Sequence, residues 1–152
     1  MPGNFYQPLL IVEDSDEDFS VLKRFLGEAA LESPIYRCID GDDALAFLHH
    51  TGDYADTVQA PRPSLVLLDL NLPGTDGREV LQHIKDDPVL NMIPVVVLTS
   101  SGNPIDVESC YMAGANAYLL KPVHLEKFRQ YIHSFVETWF AVNVLPGAKR
   151  EA

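Results

Sequence analysis

Four short apolar runs constrain this chain more than any other feature: residues 9–12, 65–68, 95–98 and 118–120, rich in Leu, Ile and Val. None alternates with polar residues. Runs of that length and kind suit strands buried on both faces, the condition of a parallel sheet. Helical spacing fills the gaps between them. Phe19, Leu22, Phe25, Leu26 and Ala29 recur at three and four residues, after Ser15 or Asp16 as N-cap. Ala44, Leu45, Phe47 and Leu48 predict a shorter helix closed by Gly52, and Val80, Leu81 and Ile84 a third before Pro88. Val107, Cys110 and Tyr111 mark a fourth, ended by Gly114. Leu125, Phe128, Ile132, Phe135 and Trp139 form the longest stripe, and residues 35–39 read as a weaker strand, second in the chain. The alternation is βαβαβαβαβα. Parallel strands need helical crossovers, so the expected fold is α/β: a five-stranded, doubly wound parallel sheet in the order 2-1-3-4-5.

In such a sheet ligands bind beyond the carboxyl ends of the strands, where strand order reverses. The residues that end each run are therefore informative. Glu13 and Asp14 come after the first, Asp69 after the third, Thr99 and Ser100 after the fourth, and Lys121 and Pro122 after the fifth. The switch point lies between the first and third strands, where Glu13, Asp14 and Asp69 would converge. Three crowded carboxylates repel unless a cation neutralises them. An all-oxygen donor set without Cys or His points to Mg²⁺ or a similar hard divalent ion. A carboxylate beside that ion can also act as a nucleophile toward phosphorus, with a Thr hydroxyl and a Lys ammonium to hold the phosphoryl oxygens.

The formal charge of −11 over 152 residues disfavours binding to phosphate backbones or anionic lipid, and suits contact with a basic patch on another protein. No apolar run approaches the roughly 20 residues of a membrane span. No signal peptide is visible either, so the expected location is cytoplasmic. Cys38 and Cys110 read as small core residues rather than a bridge. Residues 51–63 read as a loop, and 146–152 as a frayed tail. The five histidines show no metal-ligand spacing and read as surface residues.

The motifs IVEDSDED, LVLLDLNLPGTDG, VVVLTSS and AGANAYLLKP give residues 8–140 a resemblance to response-regulator receiver domains, which share the flavodoxin-like fold expected above. The resemblance implies Asp69 as phosphoacceptor. It implies Mg²⁺ held by Glu13 through water, by Asp14 directly, by Asp69, and by the backbone carbonyl of Asn71. Thr99 matches the switch hydroxyl, Lys121 the phosphate-pairing lysine and Tyr118 the rotating aromatic, although a fixed core aromatic is an alternative for Tyr118. Glu13 replaces the commoner Asp, which should shift metal affinity rather than abolish it. The Lys121–Pro122 bond is expected to be cis, since only X–Pro bonds adopt that form cheaply and the lysine must turn into the pocket.

With no output domain visible after the core, the expectation is a single receiver domain, 1–152, acting by protein contact. LNLPGTDGREVL, HTGDYADTVQAPRP and FVETWFAVNVLP further resemble small regulators paired with cyanobacterial phytochrome histidine kinases. The implied partner is then a sensor histidine kinase of phytochrome type. Excess apolar residues near the C-terminus suggest a homodimer through the last helix and strand, with Val107, Tyr111, Phe128, Phe135 and Trp139 as its face. Three rivals are weaker. A dehalogenase-like phosphohydrolase wants a second Asp where Asn71 stands. A flavin binder wants a Ser/Thr/Gly loop where EDSDED is anionic. A non-phosphorylated docking domain should have lost one of the acidic or Lys positions.

Overall fold

The computed structural model describes residues 5–146 together with 149 and 150. Five parallel strands run β1 (Leu9–Val12), β2 (Ile35–Cys38), β3 (Leu65–Leu68), β4 (Val95–Thr99) and β5 (Ala117–Leu120). They lie in the order β2-β1-β3-β4-β5, as expected. Register is continuous at the centre, with Val12 beside both Cys38 and Leu68. A separate two-residue antiparallel pairing joins Phe5–Tyr6 to Lys149–Arg150. The expected fraying of 146–152 otherwise falls largely outside the described residues.

The period of two along each strand sends alternate side chains to opposite faces. Leu10, Val12, Val66, Leu68, Val95 and Val97 pack under α2 (Gly41–His49), α3 (Gly77–Asp86) and α4 (Pro104–Ala113). Leu9, Ile11, Leu65, Leu67, Val96 and Leu98 pack under α1 (Asp16–Glu28) and α5 (Leu125–Val136). Both faces of β1, β3 and β4 are buried, which is why those runs show no polar alternation; the expectation fails for 118–120, where the edge strand β5 leaves Tyr118 and Leu119 half-buried and Leu120 exposed. Among the described residues no helix is long and apolar enough to cross a membrane.

Helix ends follow their caps, with one exception. The Ser15 side chain accepts from the Asp18 N–H, Asp76 caps α3 in a capping box with Glu79, and Gly114 closes α4 at φ +110°. Gly52 does not close α2. His50 does, at φ +57°, with its ring Nε2 2.8 Å from the Ala60 carbonyl oxygen, and Gly52 instead opens a short 3₁₀ turn within the loop.

The stripe on the last helix also needs correcting as a contact face. Phe128 and Phe135 are buried, Phe128 lying edge-on to Phe25 with ring centroids 5.8 Å apart. They serve the subunit's own core and cannot also cover a second copy. Val107 and Trp139 are half-buried, and Tyr111 is exposed. Beyond Val136 the helix widens into a π turn (Glu137–Val142), from which Phe140 packs on Phe135 and is followed by the buried Leu145.

Gly77 locks the start of α3 against the loop that follows β3. A Cβ there would collide with the Asp69 carbonyl oxygen and sit 2.6 Å from the Leu70 Cα. Only backbone could give way. Gly77→Ala is therefore expected to cost about 1–3 kcal/mol, the range for overpacking a tight site, measured as a lower urea midpoint at unchanged slope.

Candidate functional site

The carboxyl ends of β1, β3, β4 and β5 meet at one rim of the sheet. Each ladder runs one bond beyond its strand: the Glu13 N–H donates to Cys38 O at 3.0 Å, Asp69 N–H to Val12 O at 3.1 Å, and Lys121 N–H to Thr99 O at 2.8 Å. Those bonds fix the backbone from which the polar side chains project. Carboxylate oxygens of Glu13, Asp14 and Asp69 fall within 4.8 Å of one another. Glu13 and Asp69 are buried, while Asp14 is exposed.

The Lys121 ammonium bridges this group. Its Nζ donates to Glu13 Oε1 at 2.8 Å and to Asp69 Oδ2 at 3.2 Å, and also reaches Asp18 Oδ2 at 3.2 Å. Glu13 Oε2 accepts from Ser15 N–H, and Asp69 Oδ1 from Asn71 N–H at 3.3 Å. The Lys121–Pro122 peptide is trans, because the described residues contain no cis bond. The expected cis form is thus corrected: the lysine side chain reaches both carboxylates from a trans backbone.

Burial pushes the Glu13 carboxyl above its ordinary range, with Asp69 adding to the effect and Lys121 opposing it. Burial alone would lower the Lys121 ammonium, but hydrogen bonds and charge from Glu13 and Asp69 outweigh it, so its proton is held more tightly than usual. One ammonium cannot balance three carboxylates. The surplus negative charge and the all-oxygen donors fit a hard divalent cation. Glu13, Asp14 and Asp69 could hold it directly or through water.

Thr99 is buried, and its Oγ1 lies 3.5 Å from the Ser101 N–H. Tyr118 is half-buried, and its hydroxyl donates to Ser101 O at 2.7 Å. The Ser101 hydroxyl donates to Asp106 Oδ2 at 2.6 Å. Asp106 Oδ1 accepts from Arg78 Nε at 3.0 Å, and Arg78 continues to Asp76, the cap of α3. The sequence reading missed Asp18, Ser101, Asp106 and Arg78. IVEDSDED does carry Asp18, but nothing local distinguishes it from its acidic neighbours. Arg78 and Asp106 meet across 28 residues, a distance no spacing rule covers.

The family model for the response regulator receiver domain matches residues 9–133. The chain is 41% identical over 140 residues to response regulator Rcp1 of Synechocystis sp., covering 92% of this chain and 93% of that one. Among solved structures, the Mn²⁺-bound form of Rcp1 superposes with a TM-score of 0.87 at 40% identity, covering 93% of this chain and 99% of that chain. The phosphorylated cyanobacterial phytochrome response regulator RcpA gives a TM-score of 0.87 at 38% identity, with the same coverage.

Removing the Lys121 charge should make the rim pH-sensitive. With the folded Glu13 pKa raised above its unfolded value, folding binds a proton in that window, so this group's contribution to stability falls as pH rises through it. In Lys121→Met the opposing ammonium is gone and the effect deepens. In chelator, the variant is expected to lose about 2–3 kcal/mol at pH 8 and less than half of that at pH 5, read from urea unfolding. Equal losses at both values would separate Lys121 from the carboxylates.

Proposed function

The chain belongs to the response-regulator receiver family, and on that premise we propose that it takes a phosphoryl group on Asp69 from a sensor histidine kinase of phytochrome type and so switches its protein-contact surface. The observation that carries this reading is the position of Asp69 at the end of β3. It lies within one ion's reach of Glu13 and Asp14, and the Lys121 ammonium is on its Oδ2. The family is one of signalling proteins rather than classical enzymes, and the chain is similar to phytochrome response regulators. A cytoplasmic location belongs to the same proposal.

In the proposed transfer, an Asp69 carboxylate oxygen forms a bond to phosphorus while the P–N bond of a donor phosphohistidine breaks and the imidazole leaves with the electron pair. Glu13, Asp14, Asp69 and the Asn71 carbonyl would hold Mg²⁺, whose charge offsets that of the entering phosphoryl oxygens. Lys121 turns from Asp69 Oδ2 to a phosphoryl oxygen, trading one charge-assisted hydrogen bond for another. Thr99 donates its hydroxyl to a second oxygen. Its movement disturbs the Ser101 N–H, whose carbonyl holds Tyr118, so the aromatic is freed to turn inward. Phosphate biases this switch only by its differential contacts in the two states, on the order of a few kcal/mol.

A docking domain that never takes phosphate is the second reading. It would not need Glu13, Asp14, Asp69, Thr99 and Lys121 intact at one rim. Self-association belongs to the proposal as well, through the outer face of α4, β5 and α5. With Phe128 and Phe135 turned inward, the exposed apolar groups on these elements include Ile105, Tyr111 and Met112 of α4, Leu120 of β5, and Leu125 and Tyr131 of α5.

Incubation with Mg²⁺ and acetyl phosphate should add one phosphoryl group by intact mass, and none in chelator or in Asp69→Asn. A gain that survives the substitution places the acceptor elsewhere. Light scattering should give a dimeric mass; a monomer both with and without phosphorylation removes the self-association.

A further inference from the structure

A second cluster of ligating side chains lies away from the acidic rim. His49 stands in the last turn of α2, His83 in the second half of α3, and Asp87 caps the end of α3. Helix C-termini lie at the end of a parallel α/β sheet opposite the strand C-termini, so this cluster and the Asp69 rim occupy opposite ends of the molecule. The two imidazoles meet through their Nε2 atoms at 2.7 Å, with ring centroids 4.9 Å apart and planes at 86°. One ligand atom from each of the three residues falls within 4.8 Å of the others.

We propose that His49, His83 and Asp87 form a second cation site, selective for a borderline transition-metal dication with Zn²⁺ as its reference ligand. Two imidazole nitrogens and a carboxylate oxygen are donors such an ion takes, and imidazole is a poor ligand for Mg²⁺. The carboxylate is already oriented: Asp87 Oδ1 accepts from the Val89 N–H at 2.8 Å and the Leu90 N–H at 3.0 Å, and a carboxylate has lone pairs to spare beyond those two bonds. Two Nε2 ligands on tetrahedral Zn²⁺ stand about 3.3 Å apart at bond lengths of 2.0–2.1 Å. Opening the present pair by roughly half an ångström, on exposed side chains, accommodates the ion. Water completes the shell. Because the ligands come from two helices, the ion would tie the end of α2 to α3, next to the His50 turn.

The site is independent of the Asp69 reading and is tested separately. The intact chain is titrated with ZnCl₂ by calorimetry, with Mg²⁺ in large excess to fill the acidic rim. Native chain and Asp69→Asn should each take up one equivalent. His49→Gln and His83→Gln should each weaken that binding at least tenfold, while His133→Gln leaves it unchanged. Both ligand variants are exposed substitutions, and unchanged circular dichroism confirms that they fold. Absence of zinc uptake, uptake insensitive to the His49 and His83 substitutions, or uptake lost in Asp69→Asn would each overturn the site, leaving a plain imidazole–imidazole hydrogen bond.

Discussion

Three carboxylates brought to one rim of a parallel sheet repel one another, and the rest of the design depends on how that repulsion is contained. Glu13 and Asp69 are buried, so water screens them poorly. The answer built into the chain is Lys121, whose ammonium arrives from a strand two positions away from β3 in the sheet and touches both. Its reach depends on the sheet. The bond from Lys121 N–H to Thr99 O and that from Asp69 N–H to Val12 O extend the ladder past the strands and set where each side chain starts. The negative charge that remains leaves a set of oxygen donors that fits a hard cation, above an apolar core that takes no part in holding it.

What could be read from the sequence was what a strand buried on both faces cannot hide. Residues 9–12 and 65–68 are continuous apolar runs because Leu9 and Ile11 face α1 and α5 while Leu10 and Val12 face α2 and α3. The polar residue that ends each run then stands at the rim by necessity, which is why Glu13, Asp69, Thr99 and Lys121 were legible. Groups that meet through tertiary packing were not. His49 and His83 are 34 residues apart, and only the packing of α2 on α3 brings their nitrogens together. His50 displaced the expected glycine at the end of α2 because its ring holds the Ala60 carbonyl, a contact supplied by a distant loop. Phe128 and Phe135 lie on the apolar stripe of α5, and a stripe tells that a helix is covered without telling what covers it.

The two faces of the sheet are fastened differently, and this decides where a change at Asp69 can travel. α5 buries Phe128, Ile132, Phe135 and Val136, so moving it would open cavities in a close-packed layer. α4 buries Cys110 alone. Its first turn is held instead by polar contacts: Asp106 to Ser101 and Arg78, with Asn103 capping Ile105 N–H. Such contacts exchange with water or with each other at little net cost. Segments with few buried apolar groups lie at the low-stability end of a fold and are the ones that move. Ser101 therefore sits at the point of least resistance. Its N–H faces the Thr99 hydroxyl, its carbonyl holds Tyr118 and its hydroxyl holds Asp106. Under the proposed phosphorylation, a pull on Thr99 would pass through this one residue to α4 and to β5's aromatic, while α1 and α5 would stay seated. The surface proposed to respond is the one fastened by hydrogen bonds.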